Sequence, residues 1–475
     1  MRVVIIGAGG AGMSVLQTIR EADKDLSITL IARERVAPYS PVSLPYLVSG
    51  ALPFTAAHLR RVSPDYFKQN RVETVLGSSV CRISPNLHSI AFTNGKTIYY
   101  DKLIIASGAI PVKPPIGGLD LAGVFYLDIL RSTRLIKEYL RKHRVKQAVV
   151  IGAGFTGIEA ALALKELGVE VTIIELLDRA LARILDPDMS AEVHYLVEQS
   201  GIKLQLGQAV NEIIGLPAGR HGEKRVKGIK LSSGERLECE MVIVAIGVKP
   251  NVEFLQGSGI KVNRGIVVDD YLSACGHAQA GLRVTCSDPA LAGESISENG
   301  ESRSDIYAAG DVAEVKDFLT GQPTTSAIWP NAVEQGRVAA LNILTLKTLN
   351  NTEDTESVGK PTPQVRFAHC KYEGAVSINV LNINGVPITG MGLTENEARQ
   401  KLGEPLEILY QANEAFKGKV ILKNNQLVGF QGIGPWRNLG FIWSCLKKRL
   451  DVSPFKNSLT SPKGFWSLKS QMTPL

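Results

Sequence analysis

The sequence predicts an α/β fold in which one strand–turn–helix unit occurs twice. Three observations point there. Residues 1–14 run Met-Arg-Val-Val-Ile-Ile-Gly-Ala-Gly-Gly-Ala-Gly-Met-Ser, and residues 147–159 run Gln-Ala-Val-Val-Ile-Gly-Ala-Gly-Phe-Thr-Gly-Ile-Glu. Each is a Val/Ile strand that ends in G-x-G-x-x-G, at Gly7, Gly9 and Gly12, then at Gly152, Gly154 and Gly157, and each opens an Ala/Leu-rich helix. The chain has 475 residues, 44% hydrophobic and 21% charged. That is length for roughly two to four domains and the ordinary composition of a globular enzyme.

Each glycine turn has a physical reading. The first glycine permits the tight turn, the second admits a phosphate to the backbone, and the third lets the helix pack on the strand. The helix N-terminus then offers unpaired N–H groups and a partial positive charge to an anion. Two such turns suggest one chain holding two dinucleotides, an arrangement suited to passing electrons between them.

The remaining elements follow in order. Residues 2–6 read as a buried parallel strand and 10–22 as the helix behind the first turn. Ser27–Ile31 is a second strand, leading to Ala32-Arg33-Glu34. Pro38-Tyr39-Ser40-Pro41-Val42-Ser43-Leu44-Pro45-Tyr46 holds three prolines, so a shaped loop is expected rather than a regular helix. Asp101–Ala109 is a strand ending in small residues, and Pro111, Pro114 and Pro115 stiffen the link that follows. The second unit begins near Lys146, with a helix over Gly157–Leu167, a strand over Glu170–Glu175 and a closing strand over Glu240–Gly247. Residues 276–304, rich in Gly, Ser, Ala and Glu, read as a mobile surface insertion. Asp305–Asp311 restores order, a helix is expected over Asn331–Leu346, and 347–364 reads as a linker. The final portion holds strand-like runs at Val376–Ile383 and Lys419–Leu422 and an apolar–basic helix near Leu439–Leu450.

Composition excludes several classes. No apolar run spans a bilayer, and a first strand at Arg2 leaves no room for a signal peptide, so a cytoplasmic location is expected. The six cysteines, Cys81, Cys239, Cys275, Cys286, Cys370 and Cys445, form no Cys-x-x-Cys and no metal-ligand spacing. The net charge is +7. From Arg437 onward, seven basic residues face only Asp451, which concentrates charge in the tail. That tail suits an acidic partner or anionic lipid at a membrane surface, or is simply a solvated helix. No basic–aromatic repeat suggests nucleic acid.

Five landmarks in order carry a family resemblance: Gly7–Gly12, Ala106-Ser107-Gly108-Ala109, Gly152–Glu159, Ala245-Ile246-Gly247 and Ala309-Gly310-Asp311. Over about residues 1–346 the chain resembles the FAD-dependent pyridine nucleotide–disulfide oxidoreductases, the two-dinucleotide-binding flavoproteins. Gly390–Glu395 and Gly418–Leu422 resemble that family's dimerisation domain more loosely. The resemblance implies two Rossmann-like dinucleotide-binding domains plus an α+β C-terminal domain. FAD binding falls to 1–117 and 247–346, NAD binding to 118–246, and a homodimer interface to 365–475.

The resemblance also implies roles for residues. Gly7, Gly9, Gly12, Glu34, Ser107, Gly108, Gly310, Asp311 and Ala332 would hold FAD, with Glu34 on the adenosine ribose and Asp311 on the ribityl chain. A helix N-cap would account for Asp311 equally well. The start of the Trp329–Gly336 segment would sit under the flavin, its dipole favouring anionic reduced flavin. Gly152, Gly154, Gly157, Glu175 and Gly247 would hold the nicotinamide nucleotide. Leu176 and Leu177 follow Glu175 where an NADP pocket needs arginines, so NAD(H) is preferred over NADP(H). Glu159 would lie near the flavin–nicotinamide contact; its residue type also fits a partly buried acid paired with a lysine.

The departures matter as much. The Cys-x₄-Cys of disulfide reductases and the Cys-x-x-Cys of thioredoxin reductases are absent. In the single-cysteine branch that includes NADH oxidases and coenzyme A disulfide reductases, the matching phrase is Pro41-Val42-Ser43-Leu44-Pro45-Tyr46, which puts Val42 at the cysteine position. Valine forms no thiolate. Pro38-Tyr39-Ser40-Pro41 is similar to the Pro-Tyr-x-Arg-Pro phrase of ferredoxin and rubredoxin reductases. His369 lacks the motif of the family's C-terminal base and reads as structural. The expected function is an NADH:acceptor oxidoreductase that hands electrons to a non-disulfide acceptor. The acceptors open to it are an iron–sulfur or other electron-carrier protein, an acidic one being suited to docking on Lys447, Lys448 and Arg449, a partner subunit of an oxidoreductase complex, a quinone-like molecule, or oxygen. Tyr46 is the candidate at the acceptor side. A coenzyme A disulfide reductase using another cysteine, and a redox-inert NADH-sensing subunit, are the competing readings.

Overall fold

The computed structural model describes residues 1–59, 62, 65–216, 224–276, 278–279, 282–283, 305–353 and 369–459. Most of the expected insertion and part of the expected linker lie outside them. They fall into two compact units. One comprises Met1–Ser40, His58–Ile110 and Val248–Val376; the other comprises Pro41–Ala57, Pro111–Gly247 and Ser377–Leu475.

In the first unit five parallel strands lie in the order Ile306–Ala308, Lys102–Ile105, Arg2–Ile6, Ser27–Ala32, Val72–Leu76. Val3, Val4 and Ile5 are fully buried, as near-continuous apolar runs must be when both sheet faces are covered. Helices Gly10–Ala22 and Trp329–Glu353 pack closely. A Cβ on Gly336 would collide with the Ala11 carbonyl, and the Ser14 hydroxyl donates to the Val333 carbonyl at 2.7 Å. The long helix extends past the expected Leu346 end into the predicted linker, to Glu353, because residues 347–353 hold neither proline nor glycine.

The second unit repeats the plan. Its parallel sheet runs Lys203–Gln205, Glu170–Ile174, Gln147–Ile151, Met241–Val244, Val124–Phe125. In both sheets the strand that runs into the glycine turn lies between the strand after its helix and a later strand. The crevice beyond that reversal is where open α/β sheets bind ligands. The unit also holds an antiparallel sheet, Ile378–Ile383, Val386–Gly392, Gln426–Ile433, Lys417–Lys423, Glu407–Ala412.

The proline-rich phrase differs from expectation. A 3₁₀ turn at Pro41–Ser43 passes into a helix at Leu44–Ser49, with Pro45 in its first turn. There a missing N–H costs nothing, because it would have no helical partner anyway. Gly50 closes the helix at φ +87°. This helix packs on helices Leu130–His143 and Phe155–Glu166. The Lys137 ammonium donates to the Leu47 and Val48 carbonyls at 2.7 and 3.1 Å, satisfying carbonyls the short helix leaves open.

A charge cluster centred on the buried Lys419 and Asp186 joins the C-terminal sheet to the second unit's parallel-sheet portion. The Lys419 ammonium lies 3.3 Å from Asp186, 3.1 Å from Asp188 and 3.1 Å from Glu395. Gln431 donates to Asp186 at 2.6 Å. Hydrogen bonding from Arg399 holds the Glu395 carboxyl below the usual range, with Lys419 adding to it against the cost of burial. That stabilisation is full above the ordinary glutamate pKa and is lost as pH falls through the lowered one. Among the described residues no helix is long and apolar enough to cross a membrane. Lys419→Met should leave three carboxylates without their central cation and cost about 3 kcal/mol in denaturant titrations at neutral pH, with the deficit shrinking in acid.

Candidate functional site

The two glycine turns are near-copies in three dimensions. Gly7 and Gly152 have φ of +111° and +107°, conformations that disfavour any side chain. Their N–H groups donate at 2.8 Å to Ile31 and Ile174, the strands next door. A Cβ on Gly12 would strike the Gly7 carbonyl, and one on Gly157 the Gly152 carbonyl. These four glycines are explained by the protein's own packing.

Gly9 and Gly154 are not. Their backbones are extended, at φ −80° and ψ −166° and at φ −79° and ψ −177°, conformations any residue adopts. A Cβ at either would meet no protein atom within 4 Å. Neither strain nor packing demands glycine there. The N-termini of the helices Gly10–Ala22 and Phe155–Glu166 begin at these residues, so the open space is where helical N–H groups point. Both turns therefore fit a dinucleotide pyrophosphate brought up against the backbone.

The other candidate residues of the first unit gather at the C-terminal ends of its strands. Ser107 donates from Oγ to the Asn251 carbonyl at 2.9 Å, and Gly108, at φ +68°, accepts from the Asn251 N–H at 3.0 Å. The Glu34 carboxylate accepts from the Tyr39 hydroxyl at 2.8 Å. Burial pushes the Asp311 carboxyl up to about 6, opposed by a bond from its own backbone N–H. Among the described residues no cation acts on it, which suits a neutral polyol more than a phosphate. Ala332 is buried in the first turn of the Trp329–Glu353 helix.

Sequence reasoning missed the residue that fixes this corner. Gln335 is fully buried; its Oε1 accepts from the Gly310 N–H at 2.7 Å and its Nε2 donates to the Tyr372 hydroxyl at 3.3 Å. Gly310 stands at φ +84°. The available signal was polar spacing: Asn331, Gln335 and Asn342 share the helix's inner face and all are buried. Asn251 was also missed, since it sits in an irregular link.

In the second unit, Glu175 accepts from the Ala153 N–H at 2.6 Å and from the Leu177 N–H at 2.9 Å. The carboxylate braces the glycine turn, and each oxygen keeps a further lone pair for a ribose hydroxyl. Leu176 and Leu177 are exposed beside it. Gly247, at φ +108°, has open space where a Cβ would stand, and its carbonyl accepts from Val112 at 3.0 Å. Tyr46 and Glu159 come together where helix Leu44–Ser49 packs on helix Phe155–Glu166. Burial pushes the Glu159 carboxyl up to about 7, and no lysine pairs with it among the described residues. Tyr46 is raised by burial and then by the nearby Glu159 charge. Val42 is exposed on the same segment.

Among the described cysteines Cys275 is disulfide-bonded and no free thiol has a comparable setting. Burial pushes the Cys239 and Cys445 thiols up to about 12. Cys81 is exposed and donates to the Ala91 carbonyl on the adjoining strand. His369 packs edge-on against Tyr271 and its ring nitrogens have no hydrogen-bond partner. Among the described residues no group of His, Cys, Asp and Glu gathers to hold a metal.

A carboxyl whose folded pKa lies above its unfolded value destabilises the fold increasingly as pH rises between the two. Glu159→Gln removes this, so the variant should match wild type near pH 4.5 and exceed it by about 1–3 kcal/mol above pH 7. Urea unfolding at several pH values checks the crossover.

Residues 1–279 match the family described as Pyridine nucleotide-disulphide oxidoreductase. The NADH oxidase of Methanocaldococcus jannaschii is 32% identical over 347 residues, 72% of this chain and 70% of that one. The NADH-dependent phenylglyoxylate dehydrogenase subunit epsilon of Aromatoleum evansii is 26% identical over 96% of this chain and 94% of its own. The NAD-dependent persulfide reductase from A. fulgidus superposes with a TM-score of 0.80, at 23% identity, covering 99% of this chain and 83% of that one; this likeness is one of fold. With the duplicated turns in place and more than half the chain matched, the protein belongs to the pyridine nucleotide-disulphide oxidoreductase family.

Proposed function

We infer that this chain, an FAD- and NAD(H)-dependent oxidoreductase, exchanges electrons with an electron-carrier protein or a partner redox subunit and not with a disulfide. The observation that carries the reading is the pairing of two open glycine cradles with Val42 at the position of the redox cysteine. FAD, when bound, links two-electron hydride transfer to single-electron steps. Everything else falls to the chain's own groups.

On this reading Gly9 and its helix N-terminus bind the FAD pyrophosphate, Glu34 the ribose, and Asp311, held by Gly310 and Gln335, the ribityl hydroxyls. Ser107 and Gly108 shape the same crevice. Gly154 binds the pyrophosphate of NADH and Glu175 its adenosine ribose; the carboxylate disfavours a 2′-phosphate and so selects NAD(H) over NADP(H). Glu159, poised near neutrality, holds or releases a proton without a cationic partner, and Tyr46 shares its environment. The balance is NADH plus two one-electron carriers giving NAD⁺, one proton and two reduced carriers. With an obligate partner subunit the same chemistry runs in either direction. The relatives' names support the NADH side of this, one being an NADH oxidase, and the second, a subunit of an NADH-dependent dehydrogenase, also supports a partner subunit. The antiparallel sheet of the second unit is the homodimer face on this reading, with Val380 and Tyr410 exposed on its edge strands.

Anaerobic titration with NADH should bleach the bound flavin at one equivalent per chain, faster than NADPH does. The reduced protein should then pass electrons to iron–sulfur carriers, and blocking its thiols should leave turnover intact. Loss of turnover on thiol labelling, with the flavin still reducible, would return the chain to the disulfide reductases.

A further inference from the structure

We propose that the exposed basic face of helix Leu130–His143, together with the apolar strip that begins at Val42, is the docking surface for an acidic electron-carrier protein. This rests on the carrier reading above and adds the place where the carrier binds.

The helix carries Arg131, Arg134, Lys137, Arg141 and Lys142 against Glu138 alone, five positive charges less one. Arg131, Arg134, Leu135, Glu138, Arg141 and Lys142 recur at spacings of three and four, so they form one face, and all are exposed. The opposite face, Leu130, Thr133 and Ile136, is buried in the unit. Among the described residues Arg131, Arg134, Arg141 and Lys142 have no carboxylate partner, whereas surface lysines elsewhere pair with acids, Lys401 with Glu397 and Lys249 with Glu253 among them. A face with four cations against one carboxylate, Glu138, projects a positive potential that steers an opposite charge.

The helix is tied directly to the strip. Lys137 grips the Leu47 and Val48 carbonyls, and the Arg134 guanidinium stands 5.3 Å over the Phe54 ring. The strip itself is apolar and open to water: Val42 is 60% exposed, Tyr46 42% and Leu52 36%, and the basic face carries an exposed apolar residue of its own, Leu135 at 44%. An apolar centre bordered by cations is the anatomy of a transient protein interface. An anionic membrane is disfavoured because the helix turns its own apolar face into the protein, leaving nothing to insert among acyl chains. The C-terminal helix, expected to dock the carrier, is a poorer candidate. Lys447 and Arg449 are engaged within the chain, and Lys456 pairs with Glu407 at 2.5 Å.

The test compares wild type with Arg131→Glu/Arg141→Glu/Lys142→Glu, and with the milder triple replacement by Gln, using an acidic two-iron ferredoxin, rubredoxin and the neutral quinone menadione as acceptors. The proposal expects kcat/KM for whichever iron–sulfur carrier wild type reduces to fall at least tenfold in the Glu variant and several-fold in the Gln variant. NADH:menadione turnover should stay within twofold, and the wild-type carrier rate should drop as salt rises from ~0.05 to ~0.5 M. Unchanged carrier kinetics in both variants would overturn the docking surface while leaving the carrier reading intact. A wild-type protein that turns over menadione and no iron–sulfur carrier would overturn both. Binding to phosphatidylserine vesicles that the Glu variant loses, with carrier kinetics unaltered, would assign the face to lipid instead.

Discussion

The contact on which the rest depends is backbone against backbone at the third glycine of each turn. With no side chain at Gly12 or Gly157, the helix lies against the carbonyl of Gly7 or Gly152. That closeness brings the first helical N–H groups to the end of the central strand, where the sheet order reverses. A Cβ there would push the helix away and disperse the donors. The open space at Gly9 and Gly154 and the bracing of Ala153 by Glu175 belong to the same turns.

The two units use the same geometry with different surroundings. The first places a buried, unpaired carboxyl, Asp311, beside its turn. The second places Glu175 so that the turn and its carboxylate support one another. It also sets Glu159 and Tyr46 against each other where two helices pack. Val42 stands exposed on the segment that leads into the Leu44–Ser49 helix. The electrons' exit then depends on which surface a partner recognises, not on a bond made to sulfur.

Much of this was legible in the chain because glycine is demanded where backbone touches backbone, and because buried parallel strands read as unbroken Val/Ile runs. What was not legible has physical reasons too. The Leu44–Ser49 helix was hidden by Pro45, which breaks a helix interior but is harmless in a first turn. Its packing beside Leu130–His143, and so the grouping of residues 41–57 with the second unit, depends on Lys137 reaching carbonyls ninety and eighty-nine positions away. Gln335 carries no motif, since its partner Gly310 lies 25 residues earlier. The Lys419 cluster joins carboxylates from segments more than two hundred residues apart, a relation no local pattern encodes.

The central claim is that each cradle leaves one glycine free for a nucleotide and that the two cradles hold different ones. Gly9→Ala and Gly154→Ala separate them, since neither Cβ touches the protein and neither backbone is strained. Affinities for FAD and for NADH, measured on each folded variant, should dissociate. Gly9→Ala should weaken FAD binding at least tenfold and leave direct NADH binding within twofold, and Gly154→Ala should do the reverse. Wild-type affinity for both nucleotides in either variant would contradict the account.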